Sequence, residues 1–185
     1  MYKLCKTEQS AERQRQLEKG LLRLMLTHRY EDISVSDLCE YMNIPRKSFY
    51  RYFSSKDGAL YALLDHTMME FYEEGFRTPS GGTALGDLDQ FFVFWYQHRE
   101  LLDALQRSQL GGILVERATS LALRERLMPG YIRSWNQELQ QLALSFSVCG
   151  LISMVIQWYQ QGFRTSPEEM TKVAQVMLTQ PLIPM

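Results

Sequence analysis

The chain has 185 residues and a mass of 21.7 kDa, with 45% hydrophobic and 22% charged residues. These are globular proportions and exclude a disordered or fibrous chain, and the length suits one domain or a small module joined to a larger one. The net charge of −1 hides an asymmetry: residues 1–58 carry 11 basic and 8 acidic side chains, and residues 59–185 carry 9 and 13. A positive N-terminal third on a slightly acidic chain fits a nucleic-acid contact confined to that end. Cys5, Cys39 and Cys149 are odd in number and widely spaced, which points to a reducing, cytoplasmic setting with thiols as small apolar fillers. The first 20 residues hold no apolar stretch of signal-peptide length. Leu139 to Phe163 carries no charge and is long enough to span a bilayer, but its five glutamines favour a buried helix, and no membrane partner is expected.

Apolar residues recur at helical spacing almost throughout, and no alternating run is long enough for a sheet, so the fold class is all-α with about nine helices. The first helix is expected from near Ser10 to His28–Tyr30, with Leu17, Leu21, Leu24 and Met25 on one face. Ser34 then offers an N-cap, Asp37 a shortened capping-box partner, and Ile33 with Leu38 a hydrophobic staple. Asn43 tolerates the left-handed conformation that ends a helix, and Pro45 is suited to the start of the next. That third helix runs to about Tyr52, and Ser54 or Ser55 caps a long fourth one reaching about Arg77. Pro79 to Gly82 reads as a loop. Later helices are expected over Leu85–Gln106, Gln109–Leu127, Gly130–Leu144, Ser145–Gln161 and Pro167–Thr179. The domains expected are a helix-turn-helix module over 1–55 and a ligand-binding and dimerisation domain over 56–185.

Two short helices joined by a turn, the second reading Arg46-Lys-Ser-Phe-Tyr-Arg-Tyr-Phe53, suggest a helix-turn-helix. At 100° per residue Phe49 and Phe53 share one face, while Lys47, Ser48 and Arg51 point away and Arg46, Tyr50 and Tyr52 flank them. The major groove admits one α-helix, and a helix entering by its first turn presents those side chains to base edges. Arg46 and Lys47 can donate to guanine O6 and N7, and Ser48 can pair with several edges. Tyr50, Tyr52 and Lys56 lie where phosphates would pass, and Ser36 adds a hydroxyl on the second helix. The same residues also suit a solvated helix face that binds nothing.

Residues 30–64, YEDISVSDLCEYMNIPRKSFYRYFSSKDGALYALL, resemble the DNA-binding module of the tetracycline-repressor (TetR) family of bacterial transcription regulators. The resemblance lies in the I-S-V-S-D-L opening, the short turn, the F-Y-R-Y-F core and the S-K-D start of the fourth helix. W-Y-Q-Q-G followed by S-P-E-E is similar to the family's usual last two helices. The resemblance implies that Arg46, Lys47, Ser48 and Tyr50 face bases and that Tyr52 and Lys56 hold phosphates. Two departures stand out: Asn43 replaces the usual turn glycine, and Lys47 stands where many members have a small residue.

The resemblance further implies a homodimeric, cytoplasmic regulator, most simply a repressor, that binds a palindromic double-stranded DNA operator. Specificity over a genome likewise asks for two half-sites. Val148, Leu151, Ile152, Val155, Trp158 and Tyr159 are the expected dimer face, and the alternative for that helix is a purely internal core. Met68, Phe91, Phe92, Trp95, Tyr96, His98, Tyr131 and Trp135 are candidates to line a pocket for a small apolar or aromatic effector, and tight core packing is the alternative. Three scattered histidines and the absence of a phosphate loop or nucleophile elbow leave no catalytic or metal site, so neither an enzyme nor a cofactor is expected. A rival reading keeps the fold but makes the protein a co-activator or nucleoid-associated factor that acts through a protein partner.

Overall fold

A computed structural model describes residues 1–77, 84–125 and 134–179. Among the described residues there are nine α-helices and no strand: α1 Glu8–Met25, α2 Val35–Tyr41, α3 Arg46–Tyr50, α4 Lys56–Arg77, α5 Ala84–Gln97, α6 Arg99–Arg107, α7 Gly111–Arg124, α8 Gln137–Gln160 and α9 Pro167–Thr179. They form two compact units, one built from Met1–Thr67 with Glu100–Arg117, the other from Met68–Arg99 with Ala118–Met185.

The helix ends follow local chemistry. Asp37 N–H donates to Ser34 Oγ at 3.1 Å and Ser34 N–H donates to Asp37 Oδ2 at 2.7 Å, a reciprocal pair that starts α2. Those bonds hold the Asp37 carboxyl below its usual range. Asn43 takes a φ of 51° and ends that helix, and Pro45 is the N-cap of α3. Ser55 Oγ accepts from Gly58 N–H at 3.1 Å as α4 begins. Ser166 and Glu169 form a second reciprocal pair at the start of α9.

The first unit buries Leu17, Leu21 and Met25 of α1 with Leu38, Phe49, Phe53, Leu60 and Leu64, and with Leu101, Leu102 and Leu105 of α6. Its first residues lie along the turn between α3 and α4, where Lys3 N–H donates to Tyr52 O at 2.9 Å and Ser54 N–H to Met1 O at 3.1 Å. Gly58 permits this close approach, since a Cβ there would sit 2.5 Å from Met1 O. The second unit packs Phe91, Phe92, Phe94 and Trp95 of α5 with Ile152, Val155 and Trp158 of α8 and Ala174 of α9.

Three expected boundaries differ. α1 ends at Met25, and Tyr30–Asp32 forms a separate 3₁₀ turn. The helix expected over Leu85–Gln106 is two, α5 and α6, parted at His98, where neither Gly nor Pro marks the break. Conversely, α8 runs unbroken through Leu144–Ser145, and Ser147 inside it turns its hydroxyl back to Ala143 O at 3.0 Å, a local bond that satisfies the side chain without ending the helix. The expected loop at Pro79–Gly82 and the start of the helix expected from Gly130 lie outside the described residues.

The left-handed turn yields a stability prediction. Asn43→Ala places a Cβ-bearing residue without a local polar side chain at φ 51° and is expected to destabilise by about 1–2 kcal/mol, while Asn43→Gly is neutral or mildly stabilising. Urea midpoints of the two variants at unchanged m-value check it.

Candidate nucleic-acid interface

α3 has only five residues, too few to be stable alone, so packing sets its orientation. Phe49 is fully buried, with its ring 5.2 Å from the ring of Phe53, itself fully buried. This anchor turns Arg46, Lys47 and Tyr50 to solvent, with Arg51 exposed at the next position, and leaves Ser48 half-buried. Arg46 Nη2 donates to Tyr50 Oη at 3.3 Å, and its guanidinium carbon lies 5.9 Å from the Tyr50 ring centroid. Ser36 is exposed on α2. Exposed basic side chains at the opening of a short helix, with no acidic residue between Ile44 and Lys56, can donate to acceptors on base edges and phosphates.

Two of the expected phosphate holders are placed otherwise. Tyr52 is only 6% exposed and packs beside Phe53 at 6.3 Å, so its ring belongs to the core and not to the outer face. Lys56 is committed internally. Its ammonium donates to the carbonyls of Tyr30 and Ile33 and sits 4.1 Å from the Tyr30 ring centroid. Burial lowers its pKa, as expected for an ammonium partly removed from water. Tyr30 in turn donates its hydroxyl to Asp57 Oδ1 at 2.6 Å, and its N–H donates to Ser108 Oγ of the segment after α6 at 2.8 Å. Burial and the Asp57 carboxylate raise the Tyr30 pKa well above the usual phenol range.

A second buried polar group supports the same unit. Asp65, 1% exposed, accepts from Arg117 Nε at 2.9 Å and from the Tyr2 hydroxyl at 2.7 Å, and Glu18 faces His66 Nδ1 at 3.0 Å. Sequence reasoning missed Glu18, Asp65 and Arg117, because their partners lie 48 to 63 residues away and no local pattern announces them.

In the second unit the candidate pocket residues divide. Phe91 and Trp95 lie on one side of α5, where Phe91 meets Phe71 edge-on at 5.6 Å. Phe92 and Tyr96 lie toward Trp158 at 5.8 and 5.9 Å, and Phe163 joins Tyr96 at 5.3 Å. Met68 is buried, and His98 stacks on Phe94 at 3.9 Å. Trp135 is 46% exposed in the turn before α8, and Tyr131 lies outside the described residues.

The residues of the expected dimer face divide. Ile152, Val155 and Trp158 are buried in the protomer's own core and cannot meet a second copy, while Val148, Leu151 and Tyr159 are half-buried. The exposed apolar side chains are instead Leu139, Leu142 and Phe146 on α8 and Val173, Val176 and Met177 on α9.

No protein-family model matches the chain, and no curated protein matches it. Solved structures do. The TetR transcriptional regulator from Streptococcus agalactiae 2603V superposes with a TM-score of 0.63 at 18% identity, over 93% of this chain and 96% of that one. The fatty acid degradation regulator FadR from Bacillus halodurans gives 0.58 at 16% identity, over 91% and 95%. The TetR family repressor AlkX from Dietzia sp. strain DQ12-45-1b, implicated in biodegradation of n-alkanes, gives 0.54 at 19%, over 89% and 92%. The chain has the TetR-family fold.

The internal use of Lys56 can be checked without DNA. Lys56→Ala leaves the Tyr30 and Ile33 carbonyls short of a donor and is expected to destabilise the free protein by about 1–3 kcal/mol. A lysine serving phosphate alone would leave thermal stability within about 0.5 kcal/mol of wild type.

Proposed function

We propose that this protein is a transcription regulator that binds double-stranded DNA as a homodimer through α3. The observation that carries the reading is the orientation of that helix: Phe49 is sealed inside, and Arg46, Lys47, Tyr50 and Arg51 are left to solvent. One such helix touches only a few base pairs, so a second copy is needed, with the two recognition helices about 34–36 Å apart. The exposed Leu139, Leu142 and Phe146 of α8, at i, i+3 and i+7, and Val173, Val176 and Met177 of α9 fit a face shared by two copies around a two-fold axis. Covering that face also accounts for α8, which is long and apolar enough to cross a membrane yet mostly unburied within one chain.

The regulator is read as a repressor released by a small apolar or aromatic molecule held in the second unit around Met68, Phe91 and Trp95. Two of the structural neighbours are named for the breakdown of apolar chains, n-alkanes and fatty acids, which supports an apolar effector. A near-complete switch needs such a ligand to favour the DNA-incompetent state by about 5.5 kcal/mol.

The test pairs a DNA measurement with an assembly measurement. Arg46→Ala/Lys47→Ala is expected to reduce duplex affinity at least tenfold and to flatten its salt dependence by about 0.9 per lost phosphate contact, with the melting temperature unchanged. Phe146→Glu is expected to convert the sedimenting dimer to monomer and weaken operator binding with it. Unchanged DNA binding in the double variant would reject the reading. If it still captured its protein partner while wild type showed no DNA affinity, the co-activator alternative would replace it.

A further inference from the structure

We propose that Tyr50 is a positioning residue that holds the Arg46 guanidinium ready to take one guanine in each half-site, an inference that rests on the DNA-binding reading above. Arg46 opens α3, and Tyr50 follows four residues later, so the two side chains stack on one strip of the helix surface. Arg46 Nη2 donates to Tyr50 Oη at 3.3 Å, and the guanidinium lies within cation–π range of the ring at 5.9 Å. The ring does not float. It meets Phe49 edge-on, centroids 5.4 Å apart at 85°, and Phe49 is fully buried. A line of contact therefore runs from the core through two rings to a side chain that would otherwise sample many rotamers.

The consequence for recognition follows from the donor inventory. A guanidinium has five N–H donors in a planar fork, and one bond to Tyr50 leaves enough to address two acceptors at once. Guanine alone among the bases presents two adjacent acceptors, O6 and N7, in the major groove. Adenine sets an N6 amino donor beside its N7, and an arginine fork would meet it donor against donor. Ordering the arginine before DNA arrives removes part of the entropy loss on binding and rewards only the base that matches the fork. Lys47, exposed at the next position, makes no hydrogen bond or ion pair among the described residues, and its ammonium is a point charge that any phosphate or acceptor satisfies. Discrimination thus belongs to Arg46, and much of the sequence-independent attraction to Lys47 and Arg51.

The experiment uses the full chain and a duplex recovered by selection, with the selected guanines replaced one per half-site by 7-deazaguanine, which lacks the N7 acceptor. Affinities are measured for wild type, Tyr50→Phe and Arg46→Ala at two salt concentrations. The position under Arg46 is expected to show a loss of about tenfold for wild type, no loss for Arg46→Ala, and a clearly smaller loss for Tyr50→Phe. Tyr50→Phe should keep the wild-type salt slope and melting temperature. The inference is overturned if Tyr50→Phe suffers the full wild-type penalty. It is equally overturned if Tyr50→Phe weakens both duplexes alike with a shallower salt slope, which would make the hydroxyl a phosphate contact. If Arg46→Ala binds the unmodified duplex as tightly as wild type, the use of α3 on DNA fails, and the inference fails with it.

Discussion

Burial of Phe49 and Phe53 in the first unit determines which side of α3 the solvent sees. Five residues of helix have no orientation of their own, and the two fully buried rings, 5.2 Å apart, supply it. Everything proposed for DNA depends on that anchor. Rotating α3 by one residue would move Arg46 and Tyr50 by 100° and bring a polar side chain into the core. The apolar seal and the basic outer strip are therefore two sides of one packing decision, made by aromatic residues four apart.

Polar contacts then fix the anchored module to its surroundings. Tyr30 lies at the centre, with its N–H on Ser108, its carbonyl and ring face on Lys56 and its hydroxyl on Asp57. The turn that leads into α2 is thereby fastened both to the start of α4 and to the end of α6. Asp65 and Arg117 make a further tie, from α4 to α7, with Asp65 almost wholly buried. Such pairs stabilise less by their attraction than by the penalty for separating them, since either charge left alone in that setting is destabilising. Together these bonds tie the turn before α2 to α4 and to the segment after α6, and α4 to α7, within the first unit.

Much of the first unit is legible in the sequence because its signals are local. Ser34 with Asp37, Asn43 and Pro45 each act on neighbours within four residues, and the structure uses them as the pattern predicts. The roles of Tyr52 and Lys56 were not legible. Lys56 has its partners 26 and 23 residues back along the chain, and an exposed-looking lysine at a helix start gives no sign of carbonyls folded over it. In α8 the difficulty is different. The helix carries one charge, at Glu138, and is apolar on nearly every side, so periodicity cannot say which face turns inward. The protomer's core takes Ile152, Val155 and Trp158, and the face left outside lies toward the other end of the helix, at Leu139, Leu142 and Phe146. The break at His98 is silent for want of Gly or Pro, although the His98 Nδ1 and N–H both converge on Phe94 O, at 2.9 and 3.0 Å.

The most direct measurement of the central claim is selection of binding sites from random duplexes by the full-length wild-type chain. A pair of outward-facing recognition helices related by two-fold symmetry predicts an inverted repeat, with half-sites one helical turn or a multiple of it apart, about 34–36 Å per turn. Enrichment of a single unpaired element, or no enrichment over the starting pool, would contradict the account.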